Sequence, residues 1–184
     1  MGCRPAPGRI ERMFSGLSSS PAAIPDDWVI YVKENSYQFV NFSHGHLGRI
    51  IKHYSDALLI PKVVFVSTDV SSFELCENTG AVATITGTVG LESMVRGKPV
   101  IVFGLSWIED FDGVLRIRNN QDVDKIMQFI ESYHFDQHKL DCYLKAFDLA
   151  TVHAYHYPGK ILGFNMDEEV CVNNLVNSIS AQIN

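Results

Sequence analysis

Thr86, Gly87 and Thr88, with Gly90 and Glu92 close behind, are the residues whose types and spacing best suit chemistry. They lie in Val82-Ala-Thr-Ile-Thr86-Gly-Thr88-Val-Gly90-Leu-Glu92. Ser-Met-Val-Arg96-Gly97-Lys98-Pro99-Val-Ile-Val-Phe103-Gly104 follows at once. A turn of small hydroxylated residues that feeds a helix is an anion site in waiting. The first N–H groups of a helix have no partner in it, and the helix dipole adds partial positive charge. Glycines at 87 and 90 let a ligand approach the backbone. The Thr88 hydroxyl suits an N-cap, where it would accept a bond from an orphan N–H. A compact strand-to-helix turn with no ligand needs the same residues, and local chemistry does not separate the two. Glu92, one turn into the helix, is either a solvated carboxylate or an acceptor for ribose hydroxyls.

Other chemistry-bearing groups are weaker. Lys33 and Glu34 follow an apolar run; they are an exposed pair of small worth, or Lys33 neutralises a phosphate. His44-Gly45-His46 has an i, i+2 spacing on a glycine loop with no cysteine or carboxylate cluster beside it. That is a poor metal pattern, and no metal is expected. His53, His134, His138, His153 and His156 form no ligand-like group, and Tyr155-His156-Tyr157 reads as a packing corner. Glu109, Asp110 and Asp112 read as a solvated acidic loop, with a metal or base role as the sharper alternative. No Gly-x-Ser-x-Gly elbow, Walker loop or zinc signature occurs.

Positioning these groups takes a scaffold of short strands and helices. Trp28–Val32, Val63–Val66, Val82–Ile85, Pro99–Phe103 and Gly113–Ile117 read as strands, with the β-branched bias of buried parallel ones. Leu47, Ile50, Ile51 and Tyr54 predict a helix near 46–57. Ser71 and Glu74 form a capping box that opens a short helix to about Cys76. Gly97 suits the left-handed residue that ends a helix, and Pro99 prevents continuation. Val123, Ile126, Met127 and Ile130 form a helical stripe. A further helix is expected over 136–150, and a last one opens at Asn165 and Glu168. The order β-α-β-α-β-α-β-β followed by helices implies an α/β, doubly wound, mostly parallel sheet covered on both faces. The polar loops 33–36, 67–72, 86–88 and 104–112 then share the carboxyl rim, where such sheets bind ligands.

The totals agree. With 184 residues, 46% hydrophobic and 20% charged, the chain suffices for one domain plus a tail. Residues 1–26, with Pro5, Pro7, Gly8, Gly16, Ser18–Ser20, Pro21 and Pro25, have linker composition, leaving 27–184 as the domain. The net charge of −6 argues against nucleic acid as a partner. Cys3, Cys76, Cys142 and Cys171 are scattered, with no Cys-x-x-Cys, which favours a reducing compartment. No apolar run is long enough to span a bilayer, and the residues at the start do not lead one to expect a signal peptide.

Four segments together resemble a known family. They are Tyr31-Val-Lys-Glu34, Val64-Phe-Val-Ser-Thr-Asp69-Val-Ser71-Ser72-Phe-Glu-Leu75, Thr84-Ile-Thr-Gly-Thr-Val-Gly-Leu-Glu92, and Arg96-Gly-Lys-Pro-Val-Ile-Val-Phe-Gly104. Over about residues 28–117 they resemble the capsule polysaccharide biosynthesis family, bacterial GT-B glycosyltransferases related to Kdo and sialic acid transferases. A looser version of the Thr-Gly-Thr to Gly-Lys-Pro block recurs in sugar-nucleotide 2-epimerases and glycerophosphotransferases.

The resemblance implies the Rossmann-like, donor-binding C-terminal half of a GT-B enzyme, with C-terminal helices and a missing N-terminal domain that carries the acceptor site and the catalytic base. It implies a glycosyltransferase of bacterial surface polysaccharide synthesis with a nucleotide-activated, CMP-linked sugar donor and a carbohydrate or glycolipid acceptor. No cofactor is implied beyond the donor, and the place is cytoplasmic, at most peripheral at the inner membrane. Alternatives are an epimerase or glycerophosphotransferase on the same fold, or a truncated nucleotide-binding domain without turnover. By position, Thr86, Gly87 and Thr88 would hold the donor phosphate, and Glu92 the ribose. Ser71 and Ser72 would lie near the nucleotide, and Trp107 and Asp112 beside the sugar. Lys33 and Asn35 occupy a motif that in relatives often reads Lys-x-His-Pro. Here Asn35-Ser36 replaces the His-Pro, so the imidazole is gone. No catalytic residue is assigned.

Overall fold

Pro99-Val-Ile-Val-Phe103 builds the centre. Its middle three residues form β4 (Val100–Val102), buried on both faces. In the computed structural model β4 is flanked in parallel by β3 (Val82–Thr84) and β5 (Val114–Arg116), in the order β3-β4-β5. Val100 stands opposite Val82 on one side and Val114 on the other. The structure describes residues 25, 27–34, 54–55, 57–60, 62–154 and 166–183.

A second, two-stranded sheet pairs β1 (Ile30–Val32) in parallel with β2 (Val63–Phe65). The parallel strands agree with the Rossmann-like α/β fold expected, and among the described residues no ladder joins the two groups of strands. The strands are only three residues long, so each supplies few ladder bonds. The central residues of β1, β2 and β3 (Tyr31, Val64 and Ala83) stay exposed. Burial on both faces is confined to β4, which alone has a strand on either side within its sheet. The fold is nonetheless α/β with parallel strands throughout, as the element order requires.

Parallel neighbours need a crossover, and α2 (Val89–Met94) supplies it between β3 and β4, packing on both strands. Its stop is the glycine device expected. Gly97 has φ +71°. Its N–H donates to the Met94 carbonyl at 2.9 Å, and the Lys98 N–H to the Ser93 carbonyl at 3.0 Å. These are the two bonds of a Schellman motif. α1 (Ser72–Asn78) packs on α2. Ser93, fully buried, donates to the Val89 carbonyl at 2.6 Å and meets Cys76 Sγ at 3.2 Å. Met94, Val100, Val102 and Ile108 complete the core around β4.

Helix starts differ in detail from expectation. Ser71 is the N-cap of α1, but its side chain makes no capping bond, so the capping box is not formed. The stripe from Val123 to Ile130 is two helices, α3 (Asn120–Val123) and α4 (Ile126–Ser132). The break follows a tight N-terminal box: Asn119 Oδ1 accepts from the Gln121 N–H, and the Asp122 carboxylate accepts from the Arg118 and Asn119 N–H groups and from Lys125.

The chain divides into two units, 1–136 and 137–184. The second contains α5 (Gln137–Ala150) and α6 (Glu168–Ile183). Asp167 Oδ1 accepts the Glu169 N–H at 2.8 Å and caps α6, two residues beyond the Asn165 start expected. Asn165 lies outside the described residues. Leu140 and Cys171 are buried there. Among the described residues no helix is long and apolar enough to cross a membrane. Tyr54, Ser55, Ala57 and Leu58 are helical, and the rest of the helix expected over 46–57 lies outside the described residues, apart from this end.

Candidate functional site

β3 ends at Thr84, and the chain turns through Thr86, Gly87 and Thr88 into α2, with all three of these residues exposed. Thr84 shapes the turn, since its Oγ1 accepts the Gly87 N–H at 3.1 Å. The Gly90 N–H reaches the Gly87 carbonyl at 3.1 Å, and the Glu92 N–H the Thr88 carbonyl at 3.1 Å. No hydrogen bond among the described residues takes the N–H of Thr88, Val89 or Leu91. These are the orphan donors of a helix start. Thr88 is the N-cap by position, but its hydroxyl does not cap. It donates instead to Glu92 Oε1 at 3.3 Å. The expectation that Thr88 accepts an N–H is therefore corrected: its backbone is helical (φ −61°, ψ −20°), whereas capping side chains sit on extended backbone.

The loop after β4 comes to this turn from the other strand. Ile108 is 1% exposed. A Cβ built on Gly90 would lie 2.6 Å from its Cδ1. Only the hydrogen of glycine lets the loop pack there. The loop is fixed at its far side by Glu109, whose carboxylate pairs with the Arg116 guanidinium and also accepts the Ser106 N–H at 3.4 Å. Trp107 and Asp112, both exposed, project from this braced loop. Glu109 is thus a structural tie rather than a member of a solvated acidic cluster.

On the other flank, α1 brings Ser72 into the layer beside α2, and Ser71 lies exposed just before it. Arg96 ties the two helices. Its guanidinium sits 4.4 Å over the Phe73 ring, donates to the Glu92 carbonyl at 2.7 Å and lies 3.8 Å from Glu77. The loop before α1 closes on itself, with Ser67 Oγ accepting the Asp69 N–H at 3.2 Å. Lys33 is half-buried at the carboxyl end of β1, in the other sheet. Thr88 and Glu92 are therefore joined by hydrogen bonds, with Thr86 and Gly87 next to them in the turn, and Gly90 meets the 104–112 loop at Ile108. Among the described residues no contact ties Lys33 to them. Asn35, His44 and His46 lie outside the described residues.

A cavity of about 270 Å³ opens at the carboxyl ends of β4 and β5, between residues 103–105 and 116–120 and closed by Val123. The sequence reading passed over its two arginines, Arg116 and Arg118. The signal was an alternation, Arg116-Ile117-Arg118, running off the end of a strand. Nearby, the Asp122 carboxyl is held below the ordinary carboxylate range, chiefly by Lys125 and then by the Arg118 N–H. Burial raises the Tyr133 phenol. Among the described residues no group of three metal-ligating side chains converges.

Comparison with known proteins adds one match. Residues 17–135 match a family model described as capsule polysaccharide biosynthesis protein. No curated protein and no solved structure matches the chain significantly.

Proposed function

The chain belongs to the capsule polysaccharide biosynthesis family, and from that premise we propose that it is the donor-binding part of a glycosyltransferase that builds bacterial capsular or surface polysaccharide from a nucleotide-activated, CMP-linked sugar. The observation that carries this reading is the exposed Thr86–Thr88 turn with unmatched N–H groups on Thr88, Val89 and Leu91, inside the segment that matches the family.

In the proposed site those N–H groups and the threonine hydroxyls hold the donor phosphate. Glu92 accepts from ribose hydroxyls, giving up its bond from Thr88. Ser71 and Ser72 border the nucleotide, Lys33 and Asn35 add a cation and an amide on the phosphate side, and Trp107 and Asp112 border the sugar. As the glycosidic bond breaks, negative charge grows on the leaving phosphate. Fixed donors stabilise that charge without reorganising, which is the main electrostatic route to a lower barrier. The acceptor hydroxyl needs a general base, which the proposed GT-B arrangement assigns to a second domain. The reading places the protein in the cytoplasm, meeting its carbohydrate or glycolipid acceptor at the inner membrane.

Isothermal titration of the chain with CMP, CDP and UDP tests the donor site. Saturable binding is expected, tightest for CMP. Absence of binding by all three sinks the reading.

A further inference from the structure

The cavity at the ends of β4 and β5 has a charge balance that selects a ligand. Arg116 is neutralised by Glu109. The Arg118 side chain has no hydrogen-bond or ion-pair partner among the described residues. Asp122 does not offset it: that carboxylate accepts the backbone N–H of Arg118 and is paired with Lys125 at 2.7 Å. Among the described residues the lining therefore carries one positive charge without a partner, on an exposed Arg118, in a chain whose net charge is −6. Asn120 adds a side-chain amide beside it, and Phe103, Leu105 and Val123 make the apolar wall. The volume, about 270 Å³, is just below the roughly 300–1,000 Å³ of pockets that enclose drug-sized ligands. A whole nucleotide sugar would extend beyond it.

We infer that this cavity is a binding site for a small organic anion, about the size of one sugar ring, whose carboxylate or phosphate is held by the Arg118 guanidinium. A guanidinium offers paired donors that match either group. Asn120 is placed to bond hydroxyls on the body of the ligand, and the apolar wall to cover a ring face. Binding in this cavity does not depend on the nucleotide reading.

The test uses the full chain, titrated at low salt with glucuronate, glucose 6-phosphate and neutral glucose, followed by calorimetry or ligand-observed NMR. At least one anion is expected to bind saturably, roughly tenfold or more tighter than glucose, because a hydrogen bond to a charged group is worth that factor. The stronger of the two anions tells carboxylate from phosphate. Arg118→Ala is expected to weaken that anion by a similar factor while leaving CMP binding unchanged, and Arg118→Gln repeats the test with the bulk kept. The inference is overturned if neither anion binds more tightly than glucose, or if both variants bind it as the wild type does. Loss of CMP binding alone would touch the proposed function and not this site.

Discussion

Ile108 and Gly90 meet at a contact that a methyl added on Gly90 would force to shift: it would stand 2.6 Å from Ile108 Cδ1. The same methyl would lie 3.5 Å from Thr84 Cγ2 and from Val100 Cγ1. Ile108 is buried on all sides, so it has little room to yield. Gly90→Ala should cost about 1–3 kcal/mol, the usual range for overpacking a core. Urea unfolding measures it. Shortening the neighbour, in Gly90→Ala/Ile108→Val, should recover part of the loss. A purely additive double variant would show that the two residues do not press on each other.

Gly97 presents a different constraint, backbone first. At φ +71° an L side chain pays about 1–2 kcal/mol. A Cβ there would also come within 3.0 Å of the Phe135 ring. Gly97→Ala should lower the unfolding midpoint by at least the backbone amount. Phe135→Leu in that background should return only the steric part, which separates the two causes.

These two glycines show what the sequence makes legible. Gly97, set before Pro99, announces a helix stop in one dimension, and the Schellman bonds are local. The apolar run over β4 and the periodicity of α5 are equally local signals, and both elements stand where those signals put them. The contact of Gly90 with Ile108 is not local. It exists because β3 and β4 pair in parallel and carry their following loops to one edge. Arg116 and Arg118 became a cavity wall for the same reason, once β5 paired beside β4. That no ladder among the described residues joins β1 and β2 to the larger sheet is likewise a tertiary outcome, since no residue pattern in three-residue strands encodes which edge is joined. Caps failed differently. Ser71 and Thr88 occupy cap positions without capping: Thr88 has a helical backbone and donates to Glu92, and nothing in the structure explains Ser71.

Asp122 gives a pH dependence with a definite sign. Its folded-state pKa is lowered from 3.8, first by Lys125 and then by the Arg118 N–H. A carboxyl with a depressed folded pKa binds fewer protons folded than unfolded just below its ordinary value. Its contribution is therefore complete above the ordinary pKa and is lost as pH falls through the folded one. The wild type should lose urea resistance below about pH 4 faster than Asp122→Asn, and their difference should be constant from pH 5 to 7. Parallel curves down to pH 2.5 would contradict the assignment.

Glu92 and Thr88 supply the sharpest test of the proposed donor site. In the unliganded chain the Thr88 hydroxyl donates to Glu92 Oε1 at 3.3 Å. That is a long bond for an O–H donor to a carboxylate, where about 2.5–2.7 Å is usual. A ribose hydroxyl that reaches Glu92 therefore replaces a weak bond with a stronger one. Glu92→Gln keeps the shape and removes the charge that strengthens the bond. It should weaken CMP binding by about tenfold, the value of a charge-assisted bond over a neutral one. The 2′,3′-dideoxy analogue of CMP lacks the hydroxyls and should bind wild type and Glu92→Gln alike. Thr88→Val removes a phosphate donor instead, so it should weaken both ligands equally. An equal loss for both ligands in Glu92→Gln would place that carboxylate away from the ribose and leave the Thr86–Thr88 turn to act through phosphate alone.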